Sequence, residues 1–333
     1  MHTIIKSVPA LLICLTVTCS VTPAAPGVTS VEKIRVIKTY GSPDEHTFNH
    51  PAQVALDTSS GRIYVLDSGI PGVIIMDTTG KFIQAFPEKN LPPDSLEEPM
   101  NIHFFKGFVW VLDNSASRMH QFTTDGKHVG AFDTGFMPFG LTGTGEFLIC
   151  THLLGDEIIP YNMYTGEIPR GYSKKPSKIS IMLGVFKFFS KMSYLTSGPS
   201  GNIFMAYRHK NRIEKYNERM RRVERVDLTE HVNIRPAKKE KTDDGKWVID
   251  GGTMFARDIC YDNERVYVLW RVEEPYQNCH GQTKLSVFDT ELQKQRTLVL
   301  EECFESIWIA GDMMVGTSYR SDSSVIFYKL IQN

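Results

Sequence analysis

An all-β ring is what this sequence predicts, and three observations predict it: a four-burst strand pattern, its repetition along the chain, and a lone strand ahead of the first copy. The clearest copy runs from Asn49 to Phe86. Its bursts at 53–56, 62–66, 73–76 and 82–86 are β-branched or aromatic. The breaks Thr-Ser-Ser-Gly, Asp-Ser-Gly-Ile-Pro-Gly and Asp-Thr-Thr-Gly supply tight-turn residues. Each copy is therefore a four-stranded antiparallel meander.

The second copy, 98–132, lies on the first with Pro99 on Pro51, Val111-Leu112-Asp113 on Val65-Leu66-Asp67 and Asp125-Gly126-Lys127 on Thr79-Gly80-Lys81. The third, 137–172, keeps Pro138 and strands at 146–151 and 157–162 but is weak in its last strand. The fourth begins near Met192 and the fifth at Ala256. The sixth runs from Phe304 through 307–309, 313–317 and 325–330, then stops one strand short. The missing strand is at the other end of the chain: residues 34–41, IRVIKTYG, resemble the fourth strand of a unit. Pairing that strand with the last unit closes a ring and protects the open edges. The prediction is a six-bladed β-propeller of four-stranded antiparallel blades, with an N-terminal strand closing the last blade; repeats of about 40 to 50 residues suit blades.

The aligned copies define two rings of positions. Val54, Ile102, Leu141, Tyr194, Ile259 and Ile307 share an apolar site in the first strands and are expected in the core between blades. The preceding residues, Gln53, Asn101, Gly140, Ser193, Asp258 and Ser306, are polar or small. They form a candidate polar ring in the central channel, or else groups that only satisfy local hydrogen bonds.

Ahead of the ring, His2 and Lys6 precede an apolar run at 8–21 and the small residues Ala24 and Ala25, the pattern of a secretory signal. About 14 apolar residues are too few to span a bilayer, which needs about 20. The expected organisation is a signal peptide at 1–24 and a propeller at 31–333, exported to the periplasm or outside the cell, with a lipid anchor at Cys19 as the alternative. Export permits disulfides. Cys150 and Cys260 fall in apolar strands and are expected as buried thiols, whereas Cys279 and Cys303 fall in loops on one face, where a bridge can form.

Length and composition bound the function. In 333 residues, 41% are apolar, ample for a large core, and 37 basic against 38 acidic residues leave a net charge of −1. That balance gives no reason to expect nucleic acid. A monomer is expected.

Insertions at 173–190 and 230–253 interrupt the pattern between a fourth strand and the next first strand, so both should overhang one channel mouth. In the first, Ile179, Met182, Leu183, Phe186 and Phe189 have helical spacing beside Lys175, Lys178 and Lys187. Such a segment packs on the propeller rim or makes a peripheral membrane contact. The loops between second and third strands share that face. Asp67 and Asp113 there read as turn caps. Later copies instead place His152, Arg208, His209, Arg271 and Arg320 there, and with Arg257 at the mouth these arginines could hold a carboxylate, sulfate or phosphate through forked hydrogen bonds.

Catalytic motifs are scarce: no G-x-S-x-G, P-loop, H-E-x-x-H or dinucleotide fingerprint occurs. The ten histidines are scattered, and Asn101, Asp258 and Glu305 are the oxygen-bearing set a channel calcium ion would use.

The motif Pro51-x-x-Val54-Ala55-Leu56-Asp57, Gly61-Arg62-Ile63-Tyr64-Val65-Leu66-Asp67-Ser68-Gly69 and Met76-Asp77-x-x-Gly80-Lys81-Phe82 resembles the NHL-type repeat of secreted six-bladed propellers. The resemblance covers nearly the whole chain after the leader, closely in copies one and two and loosely in the rest. It implies a fold shared by protein-binding modules, lactonases, strictosidine-synthase-like enzymes and peptide-amidating lyases. The channel histidines of the lyases are not recognisable. Of the calcium-dependent lactonase ligands, Asn101 and Asp258 have counterparts, whereas Gly140 and Ser193 depart from a four-ligand set.

The expected function is an exported binding module for a protein, peptide or glycan, with no cofactor. Its candidate ligand residues are Gln53, Asn101, His152, Arg208, Arg257, Asp258, Arg271 and Arg320. The rival is a metal-dependent hydrolase or lyase, lactonase-like, with calcium in the channel.

Overall fold

Turn chemistry sets the blades. At the end of the third strand of blade 1 the Asp77 carboxylate accepts the N–H of Thr79 at 2.8 Å and of Lys81 at 3.0 Å, while Gly80 takes φ +81°. Asn217 repeats the arrangement for Arg219 and Arg221, and Asp289 for Glu291 and Gln293. The same side-chain chemistry thus reverses the chain at equivalent places.

The computed structural model describes residues 28–37, 39–40, 46–87, 95–135, 138–152, 158–172, 192–228, 238–241, 247–250, 254–273, 283–318 and 323–332. Blade 1 comprises Pro51–Asp57, Arg62–Asp67, Gly72–Asp77 and Phe82–Phe86. Blade 2 comprises Pro99–Phe105, Phe108–Asp113, Arg118–Thr123 and His128–Asp133. Blade 4 is built from Ser193–Ser197, Ile203–Tyr207, Arg212–Tyr216 and Arg222–Asp227. Blade 5 is built from Met254–Asp262, Arg265–Glu273, Thr283–Asp289 and Lys294–Leu300. All are sequential antiparallel sheets.

Blade 6 joins Ser306–Ala310, Met313–Ser318 and Ser324–Gln332 to Val28–Ile37. The N-terminal strand runs antiparallel to the last one, with Val31 opposite Leu330 and Ile37 opposite Val325. The ring is closed by the two ends of the chain, and the protein is a six-bladed β-propeller.

Blade 3 has three strands among the described residues: Pro138–Thr144, Phe147–His152 and Ile159–Asn162. The turn to a fourth strand forms, since Asn162 N–H donates to Glu167 O at 2.8 Å. Beyond this turn the chain reads Ile168-Pro169-Arg170-Gly171, and a proline cannot donate to a ladder. This is the copy whose last strand is weakest in sequence.

Six apolar clusters fill the six seams between blades. Ala55, Tyr64 and Leu66 meet Ile102, Val109 and Phe122 between blades 1 and 2. On the other side of the same strands, Val54, Ile63 and Val65 meet Val315, Val325 and Phe327 of blade 6. Alternating side chains therefore serve alternate neighbours, which is why these strands read as continuous apolar runs. At about 1.5–3 kcal/mol for each large apolar side chain buried, these seams are the main stabilising term.

The apolar ring around the channel is present with one correction. Val54, Ile102, Leu141, Leu195, Ile259 and Ile307 line the central void, one from each blade; Leu195, not Tyr194, represents blade 4. Tyr194 instead packs between blades 4 and 5, its ring 5.3 Å from Phe139. Of the predicted polar ring, Gln53, Asn101 and Asp258 line the void, whereas Gly140, Ser193 and Ser306 do not; the two serines are buried, and the Ser193 carbonyl accepts the Thr151 hydroxyl at 3.2 Å. In the first strand of blade 4, Tyr194 pairs with Ala206 and Leu195 with Met205, so Leu195 faces blade 3 and Tyr194 faces blade 5, one residue out of step with the aligned copies.

Cys150 and Cys260 are free and buried, and Cys303 is in a disulfide; Cys279 lies outside the described residues. No helix among the described residues is long and apolar enough to cross a membrane. The first insertion lies outside the described residues, and within the second, Lys238–Lys241 and Trp247–Asp250 form a hairpin.

Candidate binding site at the arginine rim

The face carrying the loops between second and third strands has two halves. On the first, Asp67 is fully buried and its carboxylate accepts the N–H groups of Asn49 and His50 at 2.8 Å and of Gly69 at 3.0 Å. Asp113 does the same for Glu97, Glu98 and Ala116. Both aspartates tie the entry of their blade to its next turn and have a structural role, as caps.

The other half is basic. The bulge at the start of the first strand of blade 5 lets Ala256 pair with Trp270 and Asp258 with Leu269, leaving Arg257 without a place on the ladder. A bulge re-aims the side chain it carries. In this blade that side chain is an arginine. Arg257 Nη1 donates to Glu305 Oε2 at 3.2 Å, and Arg271 Nη2 donates to Glu305 Oε1 at 2.8 Å. Arg271 Nη1 also donates to Phe304 O at 3.1 Å. Both arginines are 0% exposed and Glu305 is 8% exposed. Glu305 itself is set by its N–H, which donates to Thr317 O at 2.9 Å. One carboxylate of blade 6 thus clamps two guanidinium groups of blade 5.

Arg208 brings a third guanidinium from blade 4. Burial pulls the Arg257 guanidinium down to about 10, opposed by Glu305 and aided by the positive charges of Arg208 and Arg271. Burial pushes the Tyr194 hydroxyl up, while Arg208 and Arg257 draw it back.

A void of about 20 Å³, room for a single water, lies among the first strands and is lined on the polar side by Gln53, Asn101, Thr196 and Asp258. Asp258 Oδ2 accepts the Ser306 hydroxyl at 2.6 Å and the Ile307 N–H at 3.0 Å, and its Oδ1 accepts the Ile259 N–H at 2.8 Å. Ser306 Oγ in turn accepts the Val54 N–H at 3.3 Å, so the network joins blades 5, 6 and 1. Burial pushes the Asp258 carboxyl up to about 6 despite these bonds. His103 and Trp308 also line the void, with ring centres 5.8 Å apart, and burial pushes the His103 imidazole down to about 4. Neither stood out in the sequence, because a histidine or tryptophan in a strand carries no spacing signal.

Of the eight candidate ligand residues, Arg208, Arg257 and Arg271 come together at the rim. Gln53, Asn101 and Asp258 come together at the void. His152 stands apart in blade 3, buried, with Nε2 3.3 Å from the Tyr161 hydroxyl. Arg320 lies outside the described residues. The three oxygen-bearing groups considered for calcium do not form one donor set: Asn101 and Asp258 face the void, whereas both oxygens of Glu305 are held by guanidinium groups that would repel a cation.

The fold is shared with solved structures. Virginiamycin B lyase from Staphylococcus aureus superposes with a TM-score of 0.53 at 14% identity, covering 91% of this chain and 99% of that one. A streptogramin B lyase gives 0.52 at 15% identity over 91% and 98%. A member of the DUF4221 family from Bacteroides vulgatus gives 0.58 at 8% identity over 91% and 99%. At these identities the likeness is one of fold: a six-bladed β-propeller. No family model matches the chain. No curated protein matches it.

Proposed function

We propose that this chain is an exported propeller of the NHL type, cleaved near Ala24, that acts as a binding module for a protein, peptide or glycan held at its arginine rim. The observation that carries the reading is the clamp of Arg257 and Arg271 on Glu305, with Arg208 tied to the same strand through the Phe255 N–H, at the mouth where both insertions rejoin the ring. Guanidinium groups gathered in a largely dry site favour an anionic partner.

Screening the purified protein and its Arg208→Glu variant on peptide and glycan arrays tests the reading. Binding to a defined set of ligands, lost on charge reversal, is expected. Ligands bound equally by both proteins, or none on either array, would count against it. Calcium bound stoichiometrically and lost in Asp258→Ala would instead favour a metal-dependent hydrolase or lyase.

A further inference from the structure

We infer that Arg208 anchors a carboxylate-binding subsite whose guanidinium fork is closed by the Met254 thioether until a carboxylate displaces it. The inference rests on the reading of the rim as a binding surface and names the group it grips.

The backbone of Arg208 is fixed at the place where both insertions return. Its N–H donates to Met192 O at 2.8 Å, and its carbonyl accepts the Phe255 N–H at 2.6 Å. Met192 and Phe255 lie at the entries to blades 4 and 5, so this one residue bridges the two returning connections. Its side chain is less well served. Nη2 points to Met254 Sδ at 3.3 Å, and the buried Nε has no hydrogen-bond partner among the described residues.

Those two donors occupy the same edge of a guanidinium, the edge that takes a carboxylate through two parallel bonds. A thioether is a weak acceptor on a flexible, unbranched chain, so it can be displaced at small cost. A carboxylate in its place would fill both donors and relieve the repulsion between Arg208 and Arg257.

Methionine-methyl carbon-13 labelling reads the displacement directly, with the Met254 signal assigned through Met254→Leu. The protein is titrated at constant ionic strength with acetate, N-acetylglycine as a peptide terminus, glucuronate as an acidic sugar, and inorganic phosphate. The Met254 signal is expected to shift saturably with the carboxylates. Arg208→Gln should weaken this by about ten- to a hundredfold, the worth of charge-assisted bonds. Arg208→Lys, which keeps the charge but not the fork, should restore little. The tighter of N-acetylglycine and glucuronate identifies the source of the carboxylate.

An unmoved Met254 signal, an Arg208→Gln protein that titrates like the wild type, or phosphate binding at least as tight as any carboxylate would overturn the inference. A silent Met254 alongside array ligands lost in Arg208→Glu removes the subsite and leaves the rim. A Met254 response with no array ligand removes the macromolecular reading and leaves the subsite.

Discussion

Arg271 donates to Glu305 at 2.8 Å across the seam between blades 5 and 6, and Glu305 holds Arg257 with its other oxygen. Removing the shared carboxylate strands two buried cations. Glu305→Gln is therefore expected to cost about 3–5 kcal/mol, the range for breaking a buried ion pair from one side. Urea unfolding measures it, and a loss below about 1 kcal/mol, the value of an exposed pair, would show that water reaches the cluster.

Arg208 should behave oppositely. Its guanidinium has a thioether for a partner, so Arg208→Gln is expected to change unfolding stability by less than about 1 kcal/mol while weakening carboxylate binding at the rim about ten- to a hundredfold. A large stability loss would make Arg208 a structural residue.

The register of blade 4 is open to a direct test. Leu195 lines the ring around the void and packs between blades 3 and 4, so Leu195→Ala should cost about 2–5 kcal/mol. Tyr194→Phe keeps the ring against Phe139 and should leave stability almost unchanged. If the hydroxyl deletion costs as much as the Leu195 truncation, the alternation assigned to this strand is wrong.

Gly140 is expected to resist any side chain. A Cβ there would stand 2.4 Å from Ser193 O, which is backbone, and 2.8 Å from Thr151 Oγ1. Gly140→Ala should destabilise by about 1–3 kcal/mol, the usual cost of overpacking, whereas Gly107→Ala meets nothing nearby and should cost mainly its positive φ. Thermal melts of the two variants compare the effects.

Asp258 gives the fold a pH dependence with a definite sign. Its carboxyl is pushed up to about 6 from 3.8 by burial, so the folded protein holds this proton more tightly than the unfolded chain. The contribution favours folding at pH below the unfolded value and is lost as pH rises through about 6. Relative to Asp258→Asn, the wild type should lose stability between about pH 4 and pH 7, as urea midpoints would record. Parallel curves for the two proteins would mean that the Ser306, Ile307 and Ile259 bonds fully offset burial, and a wild type that gains stability over this range would mean that they outweigh it.

Most of the ring was legible because its signals are local. Asp77 and Gly80 announce a turn, Val-Leu-Asp triplets mark equivalent strand ends, and the weak fourth strand of blade 3 is visible as Pro169 and Gly171. The orphan N-terminal strand was legible by subtraction, since the last copy lacked one strand. Register was not. Tyr194 and Leu195 are adjacent apolar residues, and which of them faces blade 3 is set by pairing with the neighbouring strand, which residue types alone do not encode.

The rim divides in the same way. Sequence alone determined that arginines replace aspartates in the later copies, because loop positions can be counted from the repeat. It could not determine that Arg257 and Arg271 share Glu305, or that Arg208 faces Met254, because these contacts join residues 48, 34 and 46 positions apart. Periodicity specifies which residues end a blade. Only closing the ring brings those ends within hydrogen-bond reach, where burial converts scattered charges into a site.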